Sequence, residues 1–217
     1  SRVGKIASRL SDYTRIPLLR EYLRGRNRRK AVFIWIPKTA GASLFSCFGS
    51  PRYWVSLDRI RYRFAGNGKV TFGHMDYAGL VRAGYVSRRF DAAAYKFAFV
   101  RNPYDRTVSL FYYLRKRGIL PAGESFLGFC RTLAAEGCEP IGLYNVSGLS
   151  QCNPQVRWME NLEMDFVGRF ESIGEDSARL FRELGLQDAR LPMINKTAHA
   201  SYKECYCRES KEIVEKF

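Results

Sequence analysis

The chain alternates short apolar runs with segments in which apolar residues recur at helical spacing. The short runs have the length and the β-branched and aromatic content that are typical of buried strands. Turn-forming sequences, PKTAG after the first run and RNPYD after the third, end two of them. The predicted strands are residues 31–36, 69–73, 96–100 and 165–171.

Helical patterns follow most of these runs. A helix is predicted over 105–118 with Gly118 as its C-cap, and another over 175–186, closed by Gly185. Further helices are expected from residue 42 and near 125–135 and 154–162. Because strands alternate with helices, the fold class is α/β: a single domain with a central, mainly parallel sheet flanked by helices. Ligands of such sheets bind beyond the carboxyl ends of the strands.

Length and composition agree with this fold. The 217 residues are 46% hydrophobic and 26% charged, which suits one globular domain and excludes disordered and collagen-like chains. No apolar run reaches the roughly 18 residues of a membrane span, and we expect neither a span nor a signal peptide in this segment. The six cysteines form no CxxC pair and the two histidines are far apart, so no metal site is predicted.

The net charge of +15 points to an anionic partner. Residues 1–30 carry ten basic and two acidic side chains, and so account for +8 of it. We therefore divide the chain into a basic N-terminal helical segment, 1–30, and a domain, 31–217, whose C-terminal end we expect to be truncated within a helix. The basic segment fits either a solvated leader helix or an arm that attracts an anion.

The segment PKTAGAS, residues 37–43, has the features of an anion site. A tight loop between a strand and a helix directs backbone N–H groups and the positive end of the helix dipole at one point. Lys38 adds a cation, Thr39 and Ser43 add hydroxyl groups, and the small residues let a phosphate approach the backbone. Those small residues are Ala40, Gly41 and Ala42.

A second segment, RNPYDRTVS, follows the run at 96–100. Arg101 can donate a fork of hydrogen bonds to a phosphate, and Ser109 can add a hydroxyl group from the helix that follows. We expect Asp105 to cap this helix, and Arg106 to make a surface or secondary contact.

The two segments do not form the common nucleotide-triphosphate loop. In that loop the lysine follows the last glycine, whereas Lys38 precedes Gly41. The run at 96–100 ends in Arg101 and not in the metal-binding acid that a magnesium-dependent phosphoryl transferase needs. The pattern therefore predicts an anionic donor that is handled without a metal.

Together, PKTAGAS and RNPYDRTVS resemble the two cofactor motifs of the sulfotransferases that use 3′-phosphoadenosine 5′-phosphosulfate. The resemblance implies that residues 38–43 hold the 5′-phosphosulfate and that Arg101 and Ser109 hold the 3′-phosphate. NPQVRWM, DFVGRFESIGED and LPMINKTAH resemble the carbohydrate branch, so the likeness spans about 31–217. In related enzymes a late basic loop closes over the nucleotide, and this likeness implies Lys196 as a further 3′-phosphate contact.

The segment FGHMDY is similar to the heparan and dermatan uronyl 2-O-sulfotransferases, whose catalytic base is a histidine. His74 matches that base, although Phe72 stands where the family often has a second histidine. The resemblance implies in-line transfer of a sulfuryl group to a carbohydrate hydroxyl, with an acceptor that can itself be anionic. His199 is expected to be structural.

Two other functional hypotheses are compatible with these residues. A small-molecule P-loop kinase and a non-catalytic polyanion-binding module are the alternatives, and nucleic acid is not expected as a partner. Cys130 and Cys138 can close a short loop as a disulfide or stay reduced, and reduced thiols are favoured. We therefore favour the cytoplasm of a bacterial type of cell over a Golgi lumen with the anchor removed.

Overall fold

The computed structural model describes residues 31–47, 76–82, 88–136, 149–186, 190–192 and 201–216. The strands in this part of the chain are β1 (Ala31–Ile34), β2 (Tyr95–Val100) and β3 (Phe166–Arg169). The α-helices there are α1 (Gly41–Cys47), α2 (Tyr77–Arg82), α3 (Arg88–Ala93), α4 (Pro103–Lys116), α5 (Phe126–Glu136), α6 (Ile173–Glu183), α7 (Tyr202–Cys205) and α8 (Arg208–Lys216). The helix expected near 154–162 is a single 3-10 turn, Gln155–Trp158. None of the helices in the described ranges combines the length and the hydrophobicity of a membrane-spanning segment.

The strands form a parallel sheet in the order β1-β2-β3. Ala31 is aligned with Tyr95, and Phe97 with Phe166. The predicted α/β class with a parallel sheet is therefore confirmed, and three of the predicted strands lie within a few residues of the observed ones. The strand predicted at 69–73 lies outside the described residues.

The central strand, β2, is buried on both faces, as its apolar sequence predicts. Phe97 and Phe99 pack with Leu44 of α1 and with α6 on one face. Ala98, on the opposite face, belongs to a cluster that contains Trp158 of the 3-10 turn. Helical layers therefore cover both faces of the sheet, and they leave its carboxyl edge as the place where loops from different strands meet.

Helix α4 begins directly beyond β2, and its N-cap is Asn102. The side-chain oxygen of Asn102 accepts hydrogen bonds from the N–H groups of Tyr104 and Asp105, at 3.0 and 3.4 Å. The prediction that Asp105 caps this helix is wrong, because the Asp105 carboxylate forms an ion pair with Arg101. A cap at Asn102 holds the start of α4 against the end of β2.

Glycines end α4 and α6 at the positions that the sequence predicts. Gly118 has a φ of +67° and Gly185 of +69°, a left-handed conformation that glycine adopts without strain. In both cases the N–H groups of the glycine and of the residue after it donate to carbonyl oxygens of the last helical turn. This is the Schellman arrangement, which satisfies carbonyl groups that the helix itself cannot pair.

Candidate functional site

The carboxyl ends of the three strands bring together loops that are distant in sequence. β1 leads into the loop 35–40, β2 into Arg101 and β3 into Phe170. The guanidinium carbon of Arg101 lies 4.1 Å from the centre of the Phe170 ring, and Arg101 Nη1 donates to the carbonyl oxygen of Lys38 at 3.2 Å. The two segments predicted to bind an anion are therefore in direct contact.

The loop between β1 and α1 has the backbone form of an anion-binding turn. Lys38 and Ala40 have φ angles of +70° and +62°, a conformation that costs a non-glycine residue on the order of 1–2 kcal/mol and turns successive N–H groups toward a common point. The N–H groups of Ser43 and Leu44 donate to the carbonyl oxygen of Ala40. Within the described part of the chain, the N–H groups of residues 38–42 have no acceptor. Such unpaired donors suit a phosphate or sulfate group.

The predicted hydroxyl residues are buried. Thr39 donates from Oγ1 to the carbonyl oxygen of Ile36 at 2.9 Å, so its hydroxyl group stabilises the loop from within. Ser43 lies in the first turn of α1 and retains 5% of its exposure, while Ser109 of α4 retains 3%. A group that reaches either of these two hydroxyls must therefore enter a desolvated site.

Gly41 leaves room for the indole ring of Trp35. A Cβ atom on Gly41 would lie 1.6 Å from Trp35 Nε1, which is shorter than any real contact. Trp35 also stacks on Phe33 of β1, with ring centres 5.8 Å apart and an interplanar angle of 17°. Because the sheet holds the indole in place, packing alone requires glycine at the start of α1.

Replacing Gly41 with alanine is therefore expected to lower the free energy of unfolding by about 1–3 kcal/mol, since the indole must move. Gly174→Ala is the matched control, because it also lies in the first turn of a helix and nothing lies within 4 Å of its Cβ position. Thermal unfolding measures both variants. Equal melting temperatures for the two would show that Trp35 does not constrain this position.

Lys38 supplies a positive charge to the loop. Its Nζ lies 4.4 Å from the centre of the Tyr113 ring, within the range of a cation–π interaction. Burial, and then the positive charges of Arg101 and Lys116, lower the pKa of Lys38 from 10.5 to about 8. Across the described residues no carboxylate forms an ion pair with this ammonium group. A bound anion would supply the missing negative charge.

Arg101 is held at its guanidinium group by neighbours on two sides. Its Nε and Nη2 both approach Asp105 Oδ2 at 2.8 Å, and its plane lies against Phe170. The Arg101 side chain keeps 11% of its exposure. A guanidinium that is oriented in this way loses little freedom when it binds a phosphate.

Arg106, which was predicted to make a surface or secondary contact, is buried and forms hydrogen bonds with two segments around the site. Its Nε donates to the carbonyl oxygen of Pro37 at 3.0 Å, and its Nη2 donates to that of Gln151 at 2.7 Å. It retains only 5% of its exposure. Arg106 therefore links α4 to the loop after β1 and to the segment before the 3-10 turn.

Two predicted site residues, His74 and Lys196, lie outside the described residues, as does His199. The structure in turn places three residues at the site that the sequence did not indicate: Tyr113, Phe170 and Gln155. Tyr113 lies one helical turn after Ser109, a spacing that puts both on one face of α4 and could have signalled it. Phe170 follows the last strand directly, at the edge where ligands bind.

Metal ligands and thiols are the remaining reactive groups of the described residues. Among them, no three His, Cys, Asp or Glu side chains form a group that could hold a metal ion. Cys130 is buried, and burial raises the pKa of its thiol to about 12. Cys138 lies outside the described residues, so a disulfide between the two stays untested.

Comparison with known proteins gave one finding. The model of the sulfotransferase family matches residues 26–215. A search of curated proteins and a search of solved structures each gave no match. The family match covers most of the chain and includes both segments that meet at the edge of the sheet, 37–43 and 101–109.

Proposed function

This chain belongs to the sulfotransferase family, whose members transfer a sulfuryl group from 3′-phosphoadenosine 5′-phosphosulfate to a hydroxyl group, and we propose that its acceptor is a carbohydrate. The family establishes the reaction and the donor. The segments FGHMDY, NPQVRWM and LPMINKTAH support the choice of a carbohydrate, since they resemble that branch of the family.

One contact carries the proposal for the donor site: Arg101 Nη1 donates to the carbonyl oxygen of Lys38 at 3.2 Å. This contact joins the loop that presents unpaired N–H groups to the arginine at the end of β2. The donor carries a phosphosulfate and a 3′-phosphate, both anionic, at opposite sides of one nucleoside. Two cationic groups in adjacent loops are the arrangement that such a molecule requires.

We assign the 5′-phosphosulfate to the loop after β1. Lys38, the N–H groups of Thr39, Ala40, Gly41 and Ala42, and the hydroxyl group of Ser43 would hold its oxygens, and the donor supplies the activated sulfuryl group. Lys38 would also stabilise negative charge on the leaving phosphate, an electrostatic effect that commonly contributes about 3–4 kcal/mol. The unpaired N–H groups and the ammonium group without an ion-pair partner in the described residues fit this role.

We assign the 3′-phosphate to Arg101 and Ser109, with Lys196 as a further contact. His74 is proposed as the base that removes the proton of the acceptor hydroxyl. The catalytic domain is proposed to span 31–217, with 1–30 as a separate basic segment. The charge of that segment is suited to an acceptor that carries negative groups.

The donor site is tested by thermal unfolding with two nucleotides, adenosine 3′,5′-bisphosphate without magnesium and ATP with magnesium. Adenosine 3′,5′-bisphosphate at about 100 times its dissociation constant is expected to stabilise the protein by about 2.7 kcal/mol, a shift of several degrees. Magnesium ATP, which lacks the 3′-phosphate, is expected to give a much smaller shift. A shift with magnesium ATP but none with the bisphosphate would favour a P-loop kinase and refute the proposal.

A further inference from the structure

Gln155 forms two hydrogen bonds with the main chain of Arg101. The N–H group of Arg101 donates to Gln155 Oε1 at 2.9 Å, and Gln155 Nε2 donates to the carbonyl oxygen of Arg101 at 2.7 Å. We propose that Gln155 is a positioning residue for the sulfuryl donor. Gln155 fixes the main chain of Arg101 in the position from which its guanidinium group binds the 3′-phosphate. This inference rests on the proposed function of Arg101.

The two bonds replace a sheet pairing that β1 does not supply. Successive residues of a central strand direct their main-chain groups alternately to the two neighbouring strands. The carbonyl oxygens of Lys96 and Val100 accept hydrogen bonds from the N–H groups of Asp165 and Phe170, so these two residues face β3. Arg101 is the next residue after Val100, so its main-chain groups face the β1 side. β1 ends at residue 34 and its chain turns into the loop. The Gln155 amide therefore supplies the donor and the acceptor that β1 would have offered.

This pairing matters because both ends of the Arg101 side chain must be fixed. Asp105 and Phe170 hold the guanidinium group, but they cannot hold the point from which the side chain leaves the backbone. A partly buried N–H and carbonyl without partners would favour another backbone path, since such groups are rarely left unpaired. Gln155 removes that alternative.

The segment that carries Gln155 is itself anchored to the site. Trp158, at the end of the 3-10 turn, is buried in the core with 2% exposure. The carbonyl oxygen of Gln151 accepts a hydrogen bond from Arg106, which also binds the carbonyl oxygen of Pro37 in the phosphosulfate loop. One segment therefore connects to both halves of the proposed donor site, which makes it a rigid support.

The test compares two nucleotides that differ by the 3′-phosphate, adenosine 3′,5′-bisphosphate and adenosine 5′-monophosphate, by calorimetry. Gln155→Leu is expected to weaken binding of the bisphosphate about tenfold, the loss that two unmade buried hydrogen bonds can cause. Binding of the monophosphate should change by less than about twofold. The KM for the donor should rise with the bisphosphate constant while kcat at saturating donor is kept. Arg157→Gln is the control, because Arg157 is exposed and pairs only with Glu160 in the described structure.

The results distinguish a positioning role of Gln155 from a purely structural one. Equal weakening of both nucleotides, or an unchanged constant for the bisphosphate, overturns the positioning role. If Gln155→Leu does not fold, Gln155→Met takes its place, since it keeps the length of the side chain, adds no charge, makes neither hydrogen bond and is expected to show the same selective loss. A natural protein that binds both nucleotides equally well overturns the proposed role of Arg101, and the inference with it.

Discussion

Replacing His74 with alanine is expected to lower kcat by about 10²–10⁴-fold and to leave the affinity for adenosine 3′,5′-bisphosphate within about twofold of the natural protein. The acceptor hydroxyl must lose its proton as it attacks, and a neutral imidazole accepts a proton near neutral pH. The nucleotide is proposed to contact the loop 37–43 and Arg101, which this substitution leaves unchanged. Turnover at saturating donor and calorimetric binding measure the two quantities separately.

His199→Ala is the matched control, since the chain has two histidines and we assign a structural role to this one. Its kcat is expected to stay within about threefold of the natural value, because it removes no group that exchanges a proton with the acceptor. Near-natural turnover of His74→Ala would exclude His74 as the base. Loss of nucleotide binding in that variant would assign the imidazole to the donor instead.

Replacing Lys38 with alanine is expected to lower kcat by about 10²–10³-fold and also to weaken nucleotide binding. The ammonium group is half-buried beside Arg101 and Tyr113, where water screens its charge poorly. Its removal leaves the charge on the leaving phosphate to the backbone N–H groups alone. Steady-state kinetics with varied donor separate the two effects, and a variant with full kcat would contradict the assignment.

The lowered pKa of Lys38 gives a further signature of the same role. Below pH 8 the ammonium is charged and can bind the anion, whereas above its pKa of about 8 it must first take up a proton. The affinity for the bisphosphate is therefore expected to fall about tenfold between pH 7 and pH 9. The ligand contributes little, because phosphate monoesters lose their last proton near pH 6.

Lys38→Arg is the control for this pH dependence. A guanidinium keeps its charge throughout the range, so the variant is expected to bind the bisphosphate with nearly constant affinity between pH 7 and pH 9. Calorimetric titrations at both pH values measure the difference between the two proteins. A natural protein whose affinity is constant over this range would show that the charge of Lys38 does not contribute to binding.

Local signals were sufficient to predict the sheet and the segments that meet at its edge. The apolar runs at 31–36 and 96–100 are bounded by turn-forming sequences, and parallel strands place their carboxyl ends together. That rule alone brings Lys38 and Arg101 to one edge, where the structure shows them in contact. Gly118 and Gly185 were predictable because helix termination depends on a few adjacent residues.

The supporting contacts were not predictable, because they join residues far apart in sequence. Gln155 is 54 positions from Arg101, and Arg106 is 69 positions from Pro37. Helical periodicity treats an arginine as a surface residue, whereas Arg106 is buried because two carbonyl oxygens accept its hydrogen bonds. Asp105 has the right residue type for a cap, but the ion pair with Arg101 takes its carboxylate and Asn102 serves instead.

The decisive experiment for the proposed function is transfer of labelled sulfate from 3′-phosphoadenosine 5′-phosphosulfate to a panel of acceptors. The panel holds neutral and uronic-acid-containing saccharides, and hydroxyl compounds that are not carbohydrates. We expect label on a saccharide hydroxyl with the natural protein, and almost none with His74→Ala or Lys38→Ala. Transfer only to the compounds that are not carbohydrates would exclude a carbohydrate acceptor, and undiminished transfer by both variants would exclude the roles proposed for His74 and Lys38.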